Sequence, residues 1–224
     1  MKATQQLAVQ AVLVLLSGHA LGQATPGSAT IKTATTASQQ WEYTLTTDGY
    51  IMPEGTSYVN PVLTADHNWL HLEARYNDEE LRTGSLWIGY NFGRGDVSAG
   101  DKWAFSITPM IGGVFGRKNG IAPGCEASLN YRNKVEVSIN NEYVFDTTSK
   151  SGNFYTSWPQ LTYSPVEWLH VGAVAQHTAA YHTPLNIQRG FLVGFSHKKW
   201  EFTTYVFDPE IADKTVVLES AVSF

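Results

Sequence analysis

The sequence has little cysteine, no long hydrophobic segment in its main part and no excess of basic residues. Cys125 is the single cysteine of the 224 residues, which excludes an intramolecular disulfide framework. Beyond residue 24, no segment approaches the roughly 20 apolar residues that a membrane-spanning helix requires. The net charge of -5 lacks the basic surface expected of a general nucleic-acid-binding protein, so nucleic acid is not a predicted partner. If the mature chain enters a membrane, it must do so as strands.

The amino terminus has the three-part layout of a secretory signal. Lys2 precedes an apolar run over residues 7–16, and small residues follow over 18–24. This layout predicts a signal peptide over residues 1–24, cleaved after Ala24. Residues 25–40 are rich in Thr, Ala, Ser and Gln without periodicity, and they predict a flexible periplasmic lead-in. The folded domain is then expected over residues 41–224.

From Trp41 onward, apolar and polar residues alternate with a period of two. Leu86, Ile88 and Tyr90 share one parity, for example, while Ser85 and Gly89 occupy the other. This period predicts β-strands, because helical spacing fits the runs poorly. The 28 aromatic residues and 19 glycines suit strands with interfacial aromatics and tight bends.

About twelve strands are predicted, with ten as the alternative count. Their expected ranges are 41–51, 58–64, 67–77, 84–92, 101–111, 121–131, 134–145, 153–163, 166–177, 187–196, 199–207 and 214–224. One side of the predicted sheet carries the tight connections, at 65–67, 132–133, 164–165 and 197–198, and the turn over 93–100. The other side carries the remaining connections, at 52–57, 78–83, 112–120, 146–152, 178–186 and 208–213. A soluble sandwich also alternates, but this pattern favours a single antiparallel transmembrane β-barrel.

The final ten residues resemble the last strand of bacterial outer-membrane barrel proteins. Leu218, Val222 and Phe224 lie on one face of this segment, and the chain ends on the aromatic residue. Ser220 is the one polar member of that face. The resemblance implies an outer-membrane location in a Gram-negative bacterium, reached after export and signal removal. It also implies contact with outer-membrane lipid and with the barrel-assembly machinery, which reads this terminal signal in the family.

The period-two alternation also predicts which side chains face the lumen, and these include charged residues and histidines. Charged side chains facing lipid would cost roughly 2–4 kcal/mol each near the midplane for Arg or Lys, so the lumen is where they belong. The predicted lumen-lining residues are His71, Glu73, Arg75, Glu126, Glu136, Glu142, His170 and Glu201. Because Arg75 is the one fixed positive charge among them, an open lumen is expected to favour cations or neutral polar solutes over anions.

The sequence predicts a narrow passive channel or a structural barrel with an acidic polar lumen. Two alternatives remain open: a lipid-modifying hydrolase of the outer membrane, and an adhesive or structural surface protein. Ser196, His197 and Ser128 are the nearest candidates for hydrolase chemistry, yet neighbours on a strand point to opposite faces. His71 and Glu73 share a face but have no identifiable third ligand, so the sequence predicts no catalytic residue, metal site or cofactor.

Overall fold

The computed structural model describes residues 40–53, 56–180, 186–210 and 214–224. The predicted signal peptide and lead-in lie outside these residues. The described chain consists of strands and one short 3-10 helix, Lys150–Gly152. The strands are β1 Glu42–Ile51, β2 Tyr58–His67, β3 Leu70–Tyr76, β4 Thr83–Tyr90, β5 Phe92–Arg94, β6 Trp103–Gly116, β7 Gly120–Tyr131, β8 Val135–Asp146, β9 Phe154–Val166, β10 Leu169–Ala180, β11 Asn186–His197, β12 Trp200–Phe207 and β13 Thr215–Ser223.

These strands form one antiparallel sheet that closes on itself. Consecutive strands pair with each other except β4 and β5, which both pair with β6, and β1 also pairs with β13. The backbone N–H groups of Tyr43 and Phe224 each donate to the other residue's carbonyl, at 3.1 and 2.9 Å. The short β5 continues the line of β4 along β6, so the wall is twelve strands around with one extra strand segment. The predicted barrel of about twelve antiparallel strands is confirmed.

The outer surface of the barrel is apolar. On β4, Leu86 and Ile88 are 60% and 52% exposed, while Trp87 between them is 3% exposed and points inward. The same alternation holds on β8, where Val137 and Phe145 point outward and Glu142 points inward. A barrel that buries polar side chains and exposes apolar ones has an outer surface suited to the hydrocarbon core of a membrane. Among the described residues, no helix has the length and apolar character needed to cross a membrane.

The two ends of the barrel differ in their connections. The end called here the turn end carries residues 68–69, 95–102, 132–134, 167–168 and 198–199, together with Gln40 and Phe224. The opposite end is called the loop end. Its described connecting residues are 52–53, 56–57, 77–82, 117–119, 147–153, 208–210 and 214, and β10 ends and β11 begins there. The predicted division of the connections between two sides is therefore present. Arg132 and Asn133 both have positive φ, as a two-residue hairpin turn requires.

Several predicted connection boundaries are wrong. The chain was expected to turn at residues 65–67, but β2 continues to His67 and the turn falls at Asn68, whose φ is 55°. Pro165 lies within β9, since that strand runs to Val166. The predicted loop over 112–120 shortens to 117–119, and part of the predicted turn over 93–100 is β5. In each case a turn-forming residue type occupies a strand position, because pairing with the neighbouring strand outweighs local preference.

Exposed aromatic side chains collect near the turn end. Trp69 stacks on Tyr90 at 5.6 Å between ring centroids, and Trp200 stacks on Phe202 at 6.0 Å. Phe224 stacks on Tyr43 at 5.8 Å. Aromatic rings of this kind sit at membrane–water interfaces, with an apolar face toward lipid and a polar edge toward water.

Candidate functional site

The interior of the barrel is filled by apolar side chains in its loop-end half. One cluster contains Tyr50, Trp158, Val174, Leu192, Tyr205, Phe207 and Val217, all buried. Its rings meet across the interior, since Trp158 on β9 lies 5.7 Å from Tyr205 and 4.9 Å from Phe207 on β12. A second buried cluster contains Trp87, Met110, Val114, Ala122, Val144 and Phe154. These packed rings occlude the loop-end half of the barrel.

The turn-end half of the interior is polar. The amide of Asn140 donates to Glu126 at 3.2 Å, and the hydroxyl of Thr108 donates to Asn91 at 2.8 Å. Other inward polar residues of this half include Thr46, Ser138 and Gln160, each less than 10% exposed. In the described conformation, the interior is polar in its turn-end half and packed with apolar side chains toward the loop end.

A buried ionic network centred on Arg75 lies beside the second apolar cluster. Its guanidinium donates to Glu73 at 2.6 Å, to Asp78 at 2.9 Å and to Glu142 at 3.1 Å. Since Glu142 belongs to β8 and Arg75 to β3, the last contact spans the barrel interior. The Arg75 guanidinium also lies 4.4 Å from the ring centroid of Trp87.

His71 extends this network toward the turn end. Its Nδ1 lies 2.8 Å from Asp66 Oδ1, and its Nε2 lies 2.8 Å from Glu73 Oε1. The imidazole is 1% exposed and held between two carboxylates. Such a bridge fixes the ring orientation and joins Asp66, His71, Glu73 and Arg75 in one continuous chain of contacts.

The connection over residues 77–82 folds into the barrel rather than away from it. Asp78 and Glu79 are 1% and 0% exposed, although they belong to a loop. The side chain of Asn60 donates to Asp78 at 3.0 Å, and the indole N–H of Trp87 donates to Glu79 at 3.3 Å. Burial, reinforced by the charge of Asp78, raises the pKa of the Glu79 carboxyl to about 7. This loop therefore adds two acidic side chains to the ionic network.

A second loop-end contact involves the connection over residues 117–119. The Lys118 ammonium donates to the carbonyl of Gly152 at 2.7 Å and lies 4.4 Å from the ring centroid of Phe154. Desolvation by burial lowers the pKa of Lys118, while nearby acidic residues oppose that shift. Lys118 and Arg75 are the buried lysine and arginine side chains among the described residues.

The residues predicted to line the lumen fall into two groups. His71, Glu73, Arg75 and Glu142 are buried and belong to the ionic network. Glu126, Glu136, His170 and Glu201 are half-buried. The network thus unites four of the eight predicted residues, and the other four lie outside it.

Sequence reasoning missed five acidic residues of the interior. Asp66 was assigned to a turn, and Asp78 and Glu79 were assigned to an external loop. Asp48 and Glu219, which are paired in the β1–β13 register, lie within the predicted strands 41–51 and 214–224 but were not singled out. Their alternation with apolar neighbours was the signal that could have found these last two. For Asp78 and Glu79, strand periodicity carries no information, because they lie in a loop.

The contacts of the candidate hydrolase residues do not assemble a nucleophile with its base. The hydroxyl of Ser128 lies 2.8 Å from that of Ser106. Ser196 and His197 are consecutive residues of β11, where Ser196 is half-buried and His197 is exposed, so their side chains point to opposite faces. His170, a further histidine of the interior, meets Thr203 Oγ1 at 3.1 Å and Glu201 Oε1 at 3.5 Å, both through the same nitrogen, Nε2. A nucleophile–histidine–carboxylate triad needs the hydroxyl and the carboxylate on opposite ring nitrogens. These contacts give the hydrolase alternative no support.

The closed wall, apolar exterior and polar interior define the fold of an outer-membrane porin-type β-barrel. Among solved structures, the KdgM porin is similar with a TM-score of 0.54 at 12% identity, over 81% of this chain and 99% of that chain. A structure of the KdgM porin in complex with disordered oligogalacturonate gives the same values. The NanC porin is similar with a TM-score of 0.53 at 12% identity, over 80% of this chain and 98% of that chain. No protein-family model matches the chain, and no curated protein matches it.

Proposed function

We propose that this chain forms a narrow passive channel in the outer membrane of a Gram-negative bacterium, selective for small cations or neutral polar solutes. The observation that carries the proposal is the imbalance of buried charge inside a closed barrel. Seven acidic side chains of the described residues are buried against one arginine, one lysine and one histidine: Asp48, Asp66, Glu73, Asp78, Glu79, Glu142 and Glu219 against Arg75, Lys118 and His71. In a narrow passage of low dielectric, excess carboxylate attracts cations and repels anions.

The charge of the interior also bears on the kind of solute. One KdgM structure is described as a complex with oligogalacturonate, a sugar chain that carries carboxylates. A carboxylate-rich interior opposes the entry of such a polyanion, because like charges repel most strongly where water is scarce. The proposed solute of this barrel therefore differs in charge from that ligand, even though the folds are similar.

The apolar packing in the loop-end half predicts that the channel has a low conductance. Trp158, Tyr205 and Phe207 fill the interior, and an ion must pass this level to cross the barrel. We propose that the described conformation is the closed one, and that passage requires these rings to separate. Side chains that gate by excluding water are a common device in channels.

Single-channel recording in planar bilayers tests the proposal. Wild-type protein is expected to give small or infrequent openings, and Trp158→Ala is expected to raise the conductance by removing the largest ring of the constriction. Leu161→Ala is the matched control, because Leu161 lies on the same strand but is 51% exposed on the outer face. Absence of conductance in all three proteins would contradict a channel and leave a structural barrel as the better account.

Export and assembly complete the proposal. We propose that residues 1–24 direct export and are removed, and that the last strand is recognised by the barrel-assembly machinery through Phe224, Val222 and Leu218. Leu218 and Phe224 are 48% and 60% exposed on the outer face, where a partner can reach them before insertion. Outer-membrane lipid then covers this face in the finished barrel.

A further inference from the structure

The inward fold of the loop over residues 77–82 brings three carboxylates together. One oxygen of each of Asp78, Glu79 and Glu142 lies within 4.8 Å of the others, and all three side chains are buried. Asp78 and Glu79 come from the loop between β3 and β4, whereas Glu142 comes from β8, three strands further along the wall from β4. Three carboxylates at this separation repel one another strongly unless positive charge lies among them.

Arg75 supplies only part of that charge. Its Nη1 contacts one oxygen of Asp78 and one of Glu142, and its Nε is committed to Glu73. Glu79 Oε2 and Glu142 Oε1 remain without a hydrogen-bond partner among the described residues, although both are buried. A buried carboxylate oxygen without a partner is costly, so this arrangement favours a further positive ligand.

Two further buried polar side chains without partners in the described chain lie close to the three carboxylates in the strand register. Asp48 is 0% exposed, and in the described part of the chain neither of its oxygens has a hydrogen-bond partner. It lies opposite Asn60 in the β1–β2 register, and the Asn60 amide donates to Asp78. Thr156 is also 0% exposed with its hydroxyl unpartnered within the described ranges, and it is the cross-strand neighbour of Glu142.

We propose that Asp78, Glu79 and Glu142 bind a calcium ion inside the barrel, with Asp48 and Thr156 at the edge of the site. The donors are all oxygen atoms, which hard cations prefer over softer metals. Calcium–oxygen distances of about 2.3–2.6 Å place two ligands on opposite sides of the ion roughly 4.6–5.2 Å apart. Three oxygens within 4.8 Å of one another can all reach one ion of this size.

The second cluster that could hold a metal ion is less suited to one. It consists of His71, Glu73 and Glu126. Both ring nitrogens of His71 are already engaged by Asp66 and Glu73, and Glu73 is also bound to Arg75. These groups satisfy one another without an ion, so the inference rests on the cluster that contains Glu79.

A calcium ion at this site would tie the inward loop to strand β8. It would bridge residues 78–79 and β8, parallel to the contact of Arg75 with Glu142. This consequence is independent of the proposed channel, because a barrel that conducts nothing can still bind the ion. Binding and conductance are therefore tested separately.

Terbium luminescence provides a direct binding assay, because terbium(III) replaces calcium and is sensitised by a nearby indole. The indole N–H of Trp87 donates to Glu79, which places a sensitiser beside the site. The full chain, refolded in detergent without lipopolysaccharide and treated with EDTA, is titrated with terbium. We expect saturable emission that excess calcium displaces, and at least about a tenfold loss of affinity in Glu79→Gln and Glu142→Gln. Glu210→Gln is the control, since Glu210 is exposed at the same end of the barrel.

A stability measurement separates ligand binding from simple relief of repulsion. In EDTA, the two glutamine variants should unfold at the same or a higher temperature than wild type, because one buried negative charge is gone. Calcium should raise the midpoint of wild type and of Glu210→Gln, but not that of the two variants. The proposal is overturned if wild type shows no saturable terbium emission, or if calcium stabilises the glutamine variants as much as wild type. A variant that fails to fold is replaced by Asp78→Asn, judged by the same two readouts.

Discussion

At the scale of single residues, Arg75 is the side chain on which the interior depends most. It is 6% exposed and contacts Glu73, Asp78 and Glu142. Removing it leaves three buried carboxylates without their shared cation, and breaking a buried ion pair from one side typically costs about 3–5 kcal/mol. We expect Arg75→Ala to lower the free energy of unfolding in detergent or vesicles by about that amount.

The control for this prediction is Arg94→Ala, because Arg94 is exposed on β5. Its removal should change stability by less than about 0.5 kcal/mol. Arg75→Lys should lie between the two, since lysine keeps the charge but loses the fork of donors that reaches three partners. Equal stability of Arg75→Ala and Arg94→Ala would show that the ionic network contributes nothing to the fold.

Phe224 is expected to matter for assembly more than for the finished fold. It is 60% exposed on the outer face and its described ring contact is the stack on Tyr43. Loss of its local packing costs at most roughly 1.5–3 kcal/mol, whereas loss of a recognition signal would stop insertion. We expect Phe224→Ala to refold in vitro with modest loss of stability but to be depleted from the outer membrane in cells. Phe202→Ala removes another exposed aromatic ring near the turn end, 49% exposed, and should insert at normal levels.

At the scale of strands, the inner face of β6 is shaped to accept Trp87. A Cβ atom on Gly112 would lie 2.4 Å from Cδ2 of that indole, so the ring needs the bare backbone there. Gly112→Ala should displace Trp87, and with it the contacts to Arg75 and Glu79, at a cost of about 1–3 kcal/mol. Gly113→Ala is a matched control, because a Cβ on Gly113 meets no atom within 4 Å. Denaturant unfolding followed by tryptophan fluorescence distinguishes the two.

The strands themselves were largely predictable from the sequence, and their ends were not. Period-two alternation identified every wall strand, because inward and outward positions face solvents of opposite character. The ends failed at Asp66 and Pro165, where the residue type favours a turn but the neighbouring strand supplies partners for the backbone. Local preference is a weak guide wherever sheet pairing continues past it.

At the scale of the whole molecule, the contents of the interior could be predicted only in part. The parity argument placed Glu73, Arg75 and Glu142 on inward positions, and all three lie in the ionic network. It could not place Asp78 and Glu79, because the path of a loop depends on what it meets. The aromatic packing of Trp158 against Tyr205 joins strands three apart, and no pattern within either strand encodes that contact.

The central claim is that the charge of this interior sets what the barrel admits, and one measurement tests it most directly. Wild-type protein, or Trp158→Ala if the wild type opens too rarely, is reconstituted in a planar bilayer between two concentrations of potassium chloride. The seven buried carboxylates predict a reversal potential directed toward that of potassium. A reversal potential directed toward that of chloride would contradict the account.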